Sequence, residues 1–370
     1  MNAAAWLAGL TSLGVGLVAG FFMHRSDFCL AGTFRDLFLF RSVRRLRALL
    51  LAVAASALLF ETARLAGWLP YHPFPLFAPP SLANLVGGCL FGIGMVLAGG
   101  CVVGVLYKVG GGSLFAGIAL LGLVAGSAVY AEMHVWWRGV SRTLALHGSA
   151  ITLPQLTGTH PAWWTAGLAL VGGWLYRRWR PAADREALPA AEGYVPLWVT
   201  ALVLASLGLF SALGTGMPMG ITTAYAKVAA GLEELLWPGH AATLDYFSRQ
   251  PFRYVLPGGG SVLSGGGGAA LDVLALIQFP LIAGIVLGAL ASSLILGEFH
   301  PWRRPPLRQG LMVFAGGVIM ALGSRMTPGC NVWHLLGGLP LLTMESLLFC
   351  GGLLPGTWLG GRLLRRLVGA

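Results

Sequence analysis

An all-α polytopic membrane protein is the fold class this sequence predicts, with about nine transmembrane helices, short re-entrant helices and an hourglass-like, inverted-topology repeat. Three observations carry that prediction. The 370 residues are 56% hydrophobic and only 10% charged, against roughly 25% charged in a soluble domain. The apolar residues gather in windows of about 20, the length of a membrane-crossing helix, and do not alternate as barrel strands do. One glycine pattern also occurs twice. Gly87-Gly88 and Gly316-Gly317 begin fourteen positions before Cys101 and Cys330, and Gly94 and Gly323 stand seven positions before the same cysteines. Paired, interrupted apolar segments in corresponding halves mark a transporter binding site.

The elements follow in order. The first span, about residues 6–23, has no basic leader and is read as retained. It runs into His24-Arg25-Ser26-Asp27 and Cys29, and residues 28–40, with Arg35-Asp36, are too short to cross. Arg41, Arg44, Arg45 and Arg47 precede the second span (48–69), where Glu61 and Arg64 lie on one face and neutralise each other. After a proline-rich turn (70–80) the third span (82–98) breaks at Cys101, and 102–112, with Lys108, reads as re-entrant. The fourth span covers 113–131, and 138–161 are expected as an external loop with a short helix. The fifth (162–176) ends at Arg177, Arg178, Arg180 and Arg185. The sixth (195–213) breaks at residues 214–220, and a long loop with a glycine tract (258–268) follows. The seventh (273–296) meets Arg303, Arg304 and Arg308. The eighth (309–324) breaks before Cys330, and the ninth (343–361) ends in Arg362, Arg365 and Arg366.

The four basic clusters are expected on the cytoplasmic side. Successive clusters are then separated by four, two and two spans, all even as they must be. The N-terminus falls outside and the C-terminus inside. Residues 1–176 form a first repeat plus a connecting fifth span, 177–193 a cytoplasmic linker, and 194–370 a second, inverted repeat. Cys101 and Cys330 then hang from opposite faces and meet near the midplane. The same distribution accounts for the net charge of +11 without nucleic-acid binding. No nucleotide-binding glycine loop is present. The five cysteines lack metal-ligand spacing, so neither a metal nor another cofactor is expected.

Irregular backbone at membrane depth is tolerated where it lines a cavity. Helix N-termini there offer free N–H groups and partial positive charge, which suits an anion. A buried cysteine keeps its proton and acts as a weak S–H donor, good enough to bind and weak enough to release. Cys29, Cys101 and Cys330 are the candidate stations, and Met217 or Met219 is the expected second-half counterpart of Cys29. Cys89 and Cys350 are read as packing residues. His24, Arg25, Lys108, Arg325, Asn331 and His334 flank the stations as secondary candidates. A membrane thiol enzyme forming a persulfide is the alternative of a different class; it needs a base, and His24 and His334 are the only ones at hand. A sulfur-anion sensor is a third reading.

Gly20-Phe21-Phe22-Met23-His24-Arg25-Ser26-Asp27-Phe28-Cys29 with Phe34-Arg35-Asp36 resembles the N-terminal signature of the YeeE/YedE (TsuA-type) sulfur transport family. Ala98-Gly99-Gly100-Cys101 and Pro328-Gly329-Cys330-Asn331 resemble its two later cysteine motifs. The resemblance implies a bacterial inner-membrane importer of thiosulfate, not an enzyme, in which three cysteines pass the anion along by transient S–H contacts. By motif those are Cys29, Cys101 and Cys330. It also implies a small cytoplasmic sulfur carrier of the TusA type as a partner, and it admits selenium compounds as an alternative cargo. Pro328 and the long 231–272 loop depart from the family pattern.

Overall fold

A computed structural model of the chain describes residues 3–69, 76–146, 148, 150–179, 193–255, 262–299 and 306–368. Most of the expected linker, Arg180, Arg185, Arg303 and Arg304, residues 70–75 of the proline-rich turn and part of the glycine tract lie outside the described residues. The first half consists of α1 (Ala3–Ser26), α2 (Leu30–Leu39), α3 (Arg44–Leu65), α4 (Ala83–Leu97), α5 (Val102–Gly110) and α6 (Leu114–Thr143). A one-turn helix α7 (Leu153–Thr157), closed by a Thr152/Gln155 capping box, leads to α8 (Pro161–Arg178). The second half has α9 (Leu197–Thr215), α10 (Thr222–Leu236), the short α11 (His240–Thr243) and α12 (Asp245–Ser248), and a hairpin of β1 (Phe252–Val255) and β2 (Val262–Gly265). It continues through α13 (Val273–Ile295), α14 (Leu307–Met326), a π-helical turn (Trp333–Gly338) and α15 (Met344–Val368).

Eight helical runs among the described residues are long and apolar enough to cross a membrane; α1 with α2, and α4 with α5, each count as one run. The remaining expected span, the fifth, corresponds to α8, 18 residues or about 27 Å long. It lies on α3 and turns Trp163, Leu170, Val171 and Trp174 outward. Two expectations are corrected. α6 continues to Thr143 where a loop was expected from residue 138, because no proline interrupts residues 132–153. The long loop after residue 220 opens with the fifteen-residue helix α10.

The repeated glycines have a packing role. A Cβ on Gly87 would lie 2.9 Å from the Gly323 carbonyl, and one on Gly323 2.7 Å from the Gly87 carbonyl. A Cβ on Gly94 would lie 2.7 Å from the Gly316 carbonyl. Helices α4 and α14 therefore cross antiparallel, backbone against backbone, along four glycines with one spacing. Small residues of this kind let membrane helices approach closely. The other packing pairs also match between halves: α1 on α13 with α9 on α3, α4 on α15 with α14 on α6, α5 on α13 with the π-helical turn on α3, and α2 on α15 with α10 on α6. Exchanging the halves converts each pair into its fellow.

Overpacking a well-filled helix contact costs about 1–3 kcal/mol. Gly94→Leu is therefore expected to lower the thermal midpoint of the purified protein. Gly117→Leu, at a position with nothing within 4 Å, is expected to leave it unchanged.

Candidate functional site

Four short helical segments begin in the interior, and three of them start directly behind a cysteine. Cys29 is extended and precedes α2; its carbonyl accepts the Thr33 N–H at 2.9 Å. Cys101 is likewise extended before α5, and its sulfur accepts the Gly104 N–H at 3.2 Å. Cys330 precedes the helical run that starts at Asn331, its carbonyl accepting the His334 N–H at 3.0 Å. The fourth segment, α10, starts behind Ile221. Ile221, rather than Met217 or Met219, thus occupies the place matching Cys29. The helix-breaking turns are local in origin: Gly99 and Gly329 adopt φ of 69° and 142°, conformations that favour glycine.

All three thiols are buried. Those of Cys29 and Cys101 are neighbours, both sulfurs closing on the bare Cα of Gly104. A Cβ there would stand 2.9 Å from Cys29 Sγ and 3.3 Å from Cys101 Sγ. Asn331 is fully buried; its carboxamide lies beside the Cys101 thiol yet makes no hydrogen bond of normal geometry among the described residues. Cys330 faces a narrow cavity of about 20 Å³ walled by Phe28, Leu30, Val103, Ile221 and Val332. That is room for about one water molecule, so the waist is closed and apolar.

Cavities that hold charged side chains open on either side. On one, Asp27, Cys29, Arg35, Arg45, Gly99 and Lys108 line a small pocket. Arg45 there pairs with both Asp27 and Asp36, and the Lys108 ammonium donates to the Gly99 carbonyl at 2.5 Å. On the other lies a vestibule of about 530 Å³, walled by Tyr130, Met217, Gly220, Tyr246, Arg325 and Trp333 among others. Gly220 lines both the vestibule and the narrow cavity. Arg325 is buried; one terminal nitrogen donates to the Tyr246 hydroxyl at 2.8 Å, while its Nε has no partner among the described residues.

The structure thus brings Cys29, Cys101, Cys330 and Asn331 together, with Lys108 and Arg325 in the flanking cavities. It does not bring the other candidates there. His24 is bonded to Ser292 Oγ at 3.0 Å. Arg25 donates to the Gly193 carbonyl at 2.6 Å, lies over the Phe21 ring, and accepts the Val195 N–H on its own carbonyl. Asp27 pairs with Arg45 and not with Arg25, whereas Glu61 and Arg64 pair at 2.7 Å as expected. His334 is completely buried. Its ring stacks on Phe349 at 4.2 Å, and its nitrogens meet Ser346 Oγ at 2.9 Å and Thr327 Oγ1 at 3.4 Å. A ring held in this way orders the broken end of α14 and is a poor base. Cys89 and Cys350 are half-buried on α4 and α15, away from the waist.

Sequence reasoning passed over Tyr225, Tyr246 and Trp333. Tyr225 is buried on α10, with its hydroxyl unpartnered among the described residues. The adjacency of α10 to a glycine-rich break was the one available signal.

The sequence matches the family described as Sulphur transport over residues 25–359. It is 28% identical to the thiosulfate transporter TsuA of Spirochaeta thermophila, across 94% of this chain and 96% of that one. With the thiosulfate transporter TsuA of Escherichia coli the identity is 26%, across 94% and 92%. The probable transporter YedE of Escherichia coli is 31% identical over 49% of this chain and 44% of its own length. With eight spanning runs and a match along almost its whole length, this multi-pass membrane protein belongs to the Sulphur transport family.

Proposed function

We propose that the protein imports thiosulfate, or a closely related sulfur-containing anion, across the bacterial inner membrane through the waist formed by Cys29, Cys101 and Cys330. The observation that carries the reading is the convergence of three buried thiols, each at the start of a short helix, between a large vestibule holding Arg325 and a polar pocket holding Lys108. Arg325 attracts the anion into the vestibule. At the waist the free N–H groups of the helix starts complement negative charge, and S–H donors bind softly enough for release. No covalent step is needed, and the chain acts as a permease, not an enzyme; the engagement of His24 with Ser292 and of His334 with Ser346 and Thr327 disfavours either as the base of a thiol enzyme. The closed waist requires the side chains around Ile221 and Val332 to part as the anion passes.

The matched packing pairs and the antiparallel α4–α14 crossing support an inverted repeat of residues 1–176 and 194–370. The arginines at the ends of α3, α8, α14 and α15 support an orientation with the Arg45 pocket on the cytoplasmic side and the vestibule on the periplasmic side. The N-terminus is then periplasmic and the C-terminus cytoplasmic. A small TusA-like carrier at the basic cytoplasmic face would receive the anion, and co-purification from membranes tests that contact.

Uptake of labelled thiosulfate into cells lacking other sulfur importers tests the cargo. Accumulation that depends on this protein is expected; none would reopen the cargo, with selenium oxyanions next in line. Hydrogen bonds to charged groups contribute about 1.5–3 kcal/mol. In the same cells Arg325→Gln is therefore expected to raise the half-saturating thiosulfate concentration about tenfold or more, with little change in the maximal rate.

A further inference from the structure

On the vestibule side, where α10 leaves the interior, Glu132 of α6, Glu233 of α10 and His240 of α11 meet. Glu233 Oε1 lies 2.8 Å from His240 Nδ1, and Glu132 Oε1 lies 3.7 Å from His240 Nε2. One ligand atom from each residue falls within 4.8 Å of the other two. Two carboxylates share a single imidazole, and no lysine or arginine among the described residues pairs with either of them. Glu233 is buried, and its second oxygen, Oε2, has no partner among the described residues. A buried carboxylate oxygen without a donor is costly. The neighbouring Glu234 is otherwise engaged, accepting the Gly239 N–H at 2.9 Å.

We propose that Glu132, Glu233 and His240 bind a divalent transition-metal cation of the Zn²⁺ class. Such an ion takes nitrogen and carboxylate ligands at about 2.0–2.2 Å and commonly leaves a fourth position to water when three protein ligands are present. Glu233 and His240 are already in place, with the unpartnered Oε2 beside them. Glu132 faces the other ring nitrogen, Nε2, at 3.7 Å, and its side chain, 54% exposed, is free to swing round to the Nδ1 edge where the ion would sit. The bound cation ties α10 and α11 to α6. Because Thr222 and Thr223 of α10 line the vestibule and Ile221 lines the waist, the ion braces the segment beside the gate. The site is separate from the thiol pathway, and the proposal does not depend on the identity of the transported anion.

The test uses the purified full-length protein in detergent, stripped with chelator and titrated with Zn²⁺ and Co²⁺ in the absence of thiosulfate. Binding of one equivalent of Zn²⁺, a higher thermal midpoint and visible absorption from bound Co²⁺ are expected. Glu132→Gln, an exposed change that leaves the metal-free midpoint alone, is expected to weaken binding by about tenfold or more. His240→Ala is expected to abolish it, while His160→Ala, at the distant start of α8, retains it. Absence of a Co²⁺ spectrum, or affinity in Glu132→Gln equal to the wild type, would overturn the site and leave His240 as a hydrogen-bonding bridge between two acids.

Discussion

Replacing Cys101 by alanine is expected to cut thiosulfate uptake about 10- to 100-fold at unchanged expression, the loss of one hydrogen bond to a charged group. Cys101 is the most connected of the three thiols. Its sulfur accepts the Gly104 N–H, it shares the space over the Gly104 Cα with Cys29 Sγ, and the Asn331 carboxamide lies beside it. An alanine leaves the backbone of α5 untouched and removes only the sulfur. The check is initial-rate uptake in importer-deficient cells beside a quantified membrane fraction. A normal rate would mean that the anion passes without the thiol.

Gly104→Ala is the second large effect. Alanine is better than glycine for a helix interior by roughly 1 kcal/mol, so α5 itself gains. The new methyl, however, must occupy space 2.9 Å from Cys29 Sγ and 3.3 Å from Cys101 Sγ. It drives the two sulfurs apart or blocks the route between them. Uptake is expected to fall at least as far as in Cys101→Ala, with the protein folded and extractable at wild-type yield. A variant that folds and transports normally would place the route elsewhere.

Much of this arrangement was legible in the sequence, for identifiable reasons. The spans are written in apolar windows, and the glycines at seven and fourteen positions before Cys101 and Cys330 recorded a backbone contact between α4 and α14 that only residues without side chains permit. The same spacing pointed to the two cysteines. The helix α10 was not legible: Lys227, Glu233 and Glu234 interrupt its apolar character. Its buried lysine is satisfied from far along the chain, by the Gly268 and Ala270 carbonyls at 3.1 and 2.8 Å and Asp272 at 2.7 Å. His334 and Arg25 looked alike as polar residues near a motif. What separates them from Arg325 is tertiary partnership, with Ser346 and Thr327 for one and the Gly193 carbonyl for the other. Nothing local in sequence encodes those partners.

The most direct measurement is thiosulfate flux into proteoliposomes holding equal amounts of the purified wild type, Cys330→Ala, Cys89→Ala or Cys350→Ala. Cys330 walls the closed waist, whereas Cys89 and Cys350 sit half-buried on α4 and α15. If thiols at the waist carry the anion, Cys330→Ala vesicles stay near the protein-free background while the other two fill like the wild type. Equal filling by all four would contradict the account and leave the cysteines as packing residues.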